Sequence, residues 1–273
     1  MTTIVQLTAT HAVAKGERAY GRVDTLAALE CAVARIRALP GRVGAIDAVV
    51  VTGDLTDHGT AEEYAAFRAL VTGPFPPLYV IPGNHDRREA LAEAFPDADY
   101  LPRDGGPLDW CVRVGDLVLA GLDTVVPGAA HGALSSAQLD RLDARLAEAA
   151  PTPAIVFTHH PPFDTSLAFM DAHRLRDGEA LIGTLARHGH VRLVASGHVH
   201  RAITAHTGGV ACHIAPAPAH AVALDHAADA EPRLVMEPGA MTLHRWRGGT
   251  LLSETVFVAA GDGGEHAFAD PPG

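Results

Sequence analysis

Five short apolar runs, each rich in valine or isoleucine and each followed at once by a polar loop, constrain this 273-residue chain more than any other feature. They are TIVQLT, IDAVVVTG, PLYVIPG, PAIVFTHH and VRLVASGH. Each has the length and composition of a buried strand. Helix-like segments lie between them. Leu26 to Leu39 carries apolar residues at helical spacing, and Pro40–Gly41 should end that helix. Thr60-Ala-Glu-Glu63 is a capping box for a helix running to Leu70, and Ser135-Ser-Ala-Gln138 opens another that runs to Ala149. Asp177 is placed to cap a further helix through Arg187. WCVRVGDLVLAGLD reads as a hairpin turning at Gly115–Asp116. Strands alternating with helices predict an α/β chain, a layered sheet with helices on its outer faces. After Arg201 the pattern becomes strand-rich: AITAH, GVACHIA, RLVME, AMTLHRW and TLLSETVFV. The expected organisation is one domain over 1–258, with 205–258 as a β-rich C-terminal part and 259–273 as a mobile tail.

Composition narrows the functional classes. Acidic residues outnumber basic ones, 32 to 21, for a net charge of −11 with histidine neutral. Sequence-independent nucleic-acid binding relies on Lys and Arg at phosphates, so a long polyanion is not the expected partner. A small anion remains compatible if the site supplies its own positive charge. No apolar run reaches the ~18 residues of a membrane span, and no basic segment followed by a long apolar stretch marks the N-terminus. A cytoplasmic protein is expected. Cys31, Cys111 and Cys212 are odd in number and unpaired in spacing, so they read as reduced thiols.

The informative residues are those that follow the runs. The first leads to His11 and the second to Asp54. The third leads to Asn84, His85 and Asp86, the fourth to His159 and His160, and the fifth to His198 and His200. In open α/β sheets, ligand sites form beyond the carboxyl ends of the strands. Taken singly these signals are weak. Taken in order, His11, GDLTD, GNHD, THHPP and GHVH predict a dinuclear metal site.

With these motifs the chain resembles the calcineurin-like metallophosphoesterases, and within them the class III cyclic nucleotide phosphodiesterases and the related glycerophosphodiesterases. The likeness extends to LDTVVPGAAHGALSSAQL, FMDAHRLRDGEAL and LVMEPGAMTLHRW. It implies an αββα sandwich of two mixed sheets flanked by helices. It also implies two divalent ions, Mn, Fe, Zn or Co. One would take His11, Asp54 and His200, the other Asp54, Asn84, His159 and His198, with Asp54 as the bridge. His85 would sit by the substrate as a catalytic group without binding metal. His58, Asp86 and His160 stand beside the ligands as candidates for substrate contact or supporting hydrogen bonds. The implied activity is hydrolysis of small phosphodiesters, such as 3′,5′-cyclic AMP, by a hydroxide activated between two metals. A homodimer or larger homo-oligomer is expected, with no nucleic-acid polymer and no membrane as partner.

One position departs from the pattern. The family places an aspartate two residues before the first histidine, and here that residue is Ala9. A methyl group cannot ligate a metal, so the first site should be weakened and activity reduced. Two origins fit, a substitution introduced to lower activity or a natural divergence, and the intact remaining motifs favour the first. Other readings stay open: a glycerophosphodiesterase or phosphomonoesterase on the same fold, or a metal-poor scaffold that binds a protein. His131, His173, His188, His190, His206, His213, His220, His226, His244 and His266 are read as ordinary surface or loop residues. No aromatic platform for a purine is evident, since Phe163 and Phe169 are merely nearby in sequence.

Overall fold

The computed structural model describes residues 1–259. The tail expected over 259–273 lies, apart from Ala259, outside the described residues, as does His266. Along the first half of the chain run β1 (Thr2–Leu7), α1 (Thr25–Ala38), α2 (Pro40–Val43), β2 (Ala48–Thr52), α3 (Ala61–Leu70), β3 (Leu78–Ile81), α4 (Arg88–Ala94), β4 (Trp110–Val114) and β5 (Leu117–Gly121). There follow α5 (Ser136–Ala149), β6 (Ala154–Phe157), α6 (Ala168–Asp171), α7 (Gly178–Leu185) and β7 (Val191–Ser196). The β-rich part contributes β8 (Ile203–Thr207), β9 (Val210–Ile214), β10 (Ala221–Val222), β11 (Leu234–Val235), β12 (Ala240–Arg247) and β13 (Thr250–Phe257).

Two mixed sheets result, as the family resemblance implies. One has the order β13-β12-β1-β2-β3, and the other β4-β5-β6-β7-β9-β8. Strands β1, β2 and β3 run parallel, with β12 antiparallel against β1. Strands β5, β6 and β7 also run parallel. Period-two alternation explains the layering. Leu117, Leu119, Ile155 and Phe157 point into the core that includes the first sheet, α1 and α3. Their neighbours Val118, Ala120, Ala154 and Val156 point the other way, onto α5 and α7. The sheets therefore pack face to face with helices outside, and the carboxyl ends of β1, β2, β3, β6 and β7 meet at one edge.

Both capping boxes form as the sequence predicts: Thr60 with Glu63 and Ser135 with Gln138 each close reciprocally. The hairpin at Gly115–Asp116 also forms. The first long helix, α1, ends at Ala38 just before Pro40–Gly41, as expected, and Pro40 then opens α2, where a missing N–H costs nothing. Two local expectations are corrected. Asp177 makes no capping hydrogen bond, because its Oδ2 accepts from the Leu134 amide 3.0 Å away. RLVME pairs over only two residues, in the small β10–β11 ribbon. Among the described residues no helix is long and apolar enough to cross a membrane.

Candidate metal centre

The loops after β1 and β2 are laced together before any side chain is considered. Ala9 donates to the Gly53 carbonyl and His11 to the Asp54 carbonyl, both at 2.9 Å. Room for this comes from glycine: a Cβ at Gly53 would overlap the His159 ring, and one at Gly83 the Asp54 carboxylate. The backbone is also held in an unusual conformation. Ala9 (φ 48°), His11 (42°), Asp54 (51°), His198 (69°) and His200 (59°) all lie in the left-handed region. Among the described residues only two other non-glycine residues share it, Tyr20 and Ser166. Such strain persists where the surroundings over-determine a functional geometry.

Hydrogen-bond accounting then separates the ring nitrogens. His159 Nδ1 lies 2.8 Å from the Thr52 carbonyl, which can only accept, so Nδ1 carries the proton and Nε2 presents its lone pair. That lone pair faces Asn84 Oδ1 at 3.1 Å, Asp54 Oδ2 at 3.2 Å and His198 Nδ1 at 3.2 Å. The buried Nε2 of His198 has no partner. A second convergence lies alongside. His11 Nδ1 donates to Asp57 Oδ1 at 2.9 Å, and His200 Nδ1 to the His220 carbonyl at 3.2 Å. Their Nε2 atoms consequently meet lone pair to lone pair at 3.3 Å, with Asp54 Oδ2 at 3.6 Å from His11. Asp54 Oδ1 is occupied by the His85 amide at 2.9 Å, so Oδ2 is the oxygen shared by both groups.

Acceptors crowded against acceptors repel unless a cation lies among them. Burial alone would raise Asp54, yet His159, His85 and His11 hold it well below the usual carboxylate range. Burial lowers His159 but Asp54 outweighs it and raises the imidazole. A proton on His159 would relieve one contact; the remaining ones still need a positive centre. Burial drives His198 and His200 well below the ordinary histidine range, so both rings present neutral lone pairs. Neutral imidazoles, one amide oxygen and one shared carboxylate form a donor set that suits divalent transition metals. Ala9, fully buried beside His11, adds no ligand.

The remaining candidates separate by position. His85 Nδ1 donates to the Asp57 carbonyl at 2.8 Å, which leaves Nε2 free on a one-third exposed ring at the cavity. Burial lowers His85, but Asp54 and the Asp57 contacts raise it overall. His160 is close to His159 and His198, yet both its nitrogens are taken, by Thr124 Oγ1 at 2.7 Å and the Ala130 carbonyl at 3.2 Å. Asp86 accepts from Leu55, Thr56, Gly83 and Tyr64, bracing the loops after β2 and β3 against α3, and does not line the cavity. His58 turns outward to Glu63 at 2.8 Å and is also absent from the cavity wall.

A cavity of about 390 Å³ opens over the two convergences. Its wall brings in residues the sequence reading passed over. His220 and His173, taken as ordinary histidines, both line it, and so does Tyr20. Burial, with Asp57 and Asp54 adding, pushes the Tyr20 phenol up to about 12. Asp57 was missed altogether. Its side chain orients His11 and its carbonyl orients His85, so one residue aims two rings. Its place in GDLTD, three residues after Asp54, was the available signal. His213 and His244, also taken as surface residues, are buried between the sheets.

Two groups of His and Asp donors that share the Asp54 carboxylate, and that could hold divalent metal, lie at the carboxyl edge of the facing mixed sheets. The model of the calcineurin-like phosphoesterase family matches residues 2–202, and the chain belongs to that family. It is 36% identical over 244 residues to the "Probable glycerophosphodiester phosphodiesterase" of Arcobacter nitrofigilis, covering 89% of this chain and 88% of that one. It is 40% identical over 230 residues to the "Probable cyclic nucleotide phosphodiesterase" of Rhodopseudomonas palustris, covering 82% and 81%. A dimetal phosphatase of Danio rerio superposes with a TM-score of 0.63 at 14% identity, over 94% of this chain and 99% of that one, which is a likeness of fold.

Proposed function

We propose that the chain is a metal-dependent phosphodiesterase for small diesters, with 3′,5′-cyclic nucleotides ahead of glycerophosphodiesters. The observation that carries this is Asp54 Oδ2, placed between the lone pairs of His11 and His159 at 3.6 and 3.2 Å. The names of the relatives, one a glycerophosphodiesterase and one a cyclic nucleotide phosphodiesterase, support both substrate groups. His11, Asp54 and His200 would hold the first ion, and Asp54, Asn84, His159 and His198 the second. Two such cations would activate water near neutral pH and neutralise the diester. The chain's own part is positioning. Asp57 keeps His11 and His85 in register, and the free His85 Nε2 faces the cavity where a leaving alkoxide needs a proton. A dimer or larger assembly is supported by β13, an outer strand that exposes Leu252 and Phe257.

Ala9 fits this reading as a vacant ligand position. Its φ of 48° suits an aspartate better than an alanine, since Asp and Asn tolerate the left-handed region. Ala9→Asp should therefore enter with less backbone strain than Ala9 carries. It should raise both the metal retained after dialysis and the rate on bis(p-nitrophenyl) phosphate, the latter by about 10–100-fold. Unchanged metal content and unchanged rate with added manganese, zinc, iron and cobalt would defeat this account of the position.

A further inference from the structure

The cavity has two unlike halves. One is the ring of histidines and Asp54. The other is apolar, formed by Phe169 and Met170 of α6 and by Val222, Pro232 and Leu234 of the β10–β11 ribbon. Met170 and Leu167 are buried against Val199, the residue between His198 and His200, and against Ile214. Their i, i+3 spacing pins the short turn and leaves Phe169 facing outward, 45% exposed. The ring is braced as well. His173 Nδ1 donates to the Phe169 carbonyl at 2.9 Å, and the two rings meet near-perpendicular at 4.8 Å. A large apolar side chain held outward on an anchored turn, at the mouth of a cavity, is placed for contact with a ligand.

We infer that Phe169 is a specificity-determining residue. The diester substituent it selects is a flat, uncharged ring, a nucleobase above all, packed between Phe169 and the β10–β11 ribbon. This rests on the diester reading above and extends it to the group beyond the phosphate. Charge chooses the occupant. Asp54 is the one carboxylate among the described residues lining the cavity, and it belongs to the metal end. The rim carries Arg233 and His173 instead, with Arg233 paired to Asp225 at 3.0 Å. A cationic head group such as ethanolamine finds no unpaired carboxylate here, because Asp225 is held by Arg233. A nucleobase needs none and gains from stacking.

The test uses the metal-loaded full chain, with 3′,5′-cyclic AMP and glycerophosphoethanolamine as paired substrates. Phe169→Ala should lower kcat/KM for cyclic AMP by about tenfold, through KM, and leave glycerophosphoethanolamine unchanged. Phe169→Trp should keep the wild-type preference. Equal loss on both substrates, or no loss on cyclic AMP, overturns the assignment. Hydrolysis of neither diester by the parent chain would sink the diester reading, and AMP binding by calorimetry then decides the subsite alone. Binding about tenfold weaker in Phe169→Ala upholds it; equal or undetectable binding overturns it.

Discussion

His159 and His244 are equally buried, both with no exposed surface, yet they solve burial in opposite ways. His244 lies between the sheets with every atom matched. Its Nε2 donates to Gln6 Oε1 at 3.0 Å, and its Nδ1 accepts from Ser253 Oγ at 2.8 Å. Gln6 passes the pattern on, donating to Thr52 Oγ1 and the Ser196 carbonyl, both at 3.0 Å. His159 has one nitrogen matched and the other aimed at two oxygen acceptors and a ring nitrogen of His198. Burial therefore does not mark a functional histidine. The mark is a buried lone pair facing other lone pairs, because only an added positive charge completes it.

Three measurements can break or sharpen this contrast. The largest effect is expected at its centre. Asp54→Asn removes the shared charge and should cost metal at both clusters, taking diester hydrolysis to background, whereas His244→Gln should leave metal content unchanged. Two tightly held metals per chain in Asp54→Asn would erase the distinction. Next is His85→Ala, which alters a cavity-facing ring proposed to act without binding metal. Turnover should fall by about 10²-fold or more with metal content intact. Loss of metal in step with activity would place His85 among the ligands.

The smallest effect concerns acid. Burial, with His213 nearby, pushes His244 down to about 3, and burial pushes His213 down to about 4. Both are neutral when folded and titrate near 6.5 when unfolded. Below pH 6.5 the unfolded chain binds the extra protons, so stability is full above that value and falls on acidification. Each histidine then costs about 1.4 kcal/mol per pH unit, until its folded pKa is reached. Urea midpoints from pH 6.5 to 4.5 should fall more steeply in the parent chain than in His244→Gln. Parallel slopes would mean that His244 is protonated within the fold.

Much of the frame was legible in the chain itself. Valine-rich runs of strand length, reciprocal capping at Thr60 and Ser135, and the Gly115 turn are local signals, and each acts within a few residues. The order of polar residues after the runs was legible too, since a strand's carboxyl end fixes where its loop begins. Asp177 misled because an aspartate before a helix can cap it or reach another segment, and the Leu134 amide took its carboxylate.

What only the tertiary structure decided is pairing across distance. Asp57 reads as a loop acid until His11, 46 residues away, is seen to need its oxygen. His160 reads as a substrate contact or a supporting hydrogen-bond residue until Thr124 and Ala130 take both nitrogens. Phe169 and Leu234 come from remote segments and become two sides of one cavity only when α6 and the β10–β11 ribbon come together beside the histidine cluster. Strand and helix propensity is short-ranged, so sequence alone specified the elements and the edge where the polar loops converge. A nitrogen's role depends on which atom lies about 3 Å away, and that neighbour is supplied by the packing of the sheets.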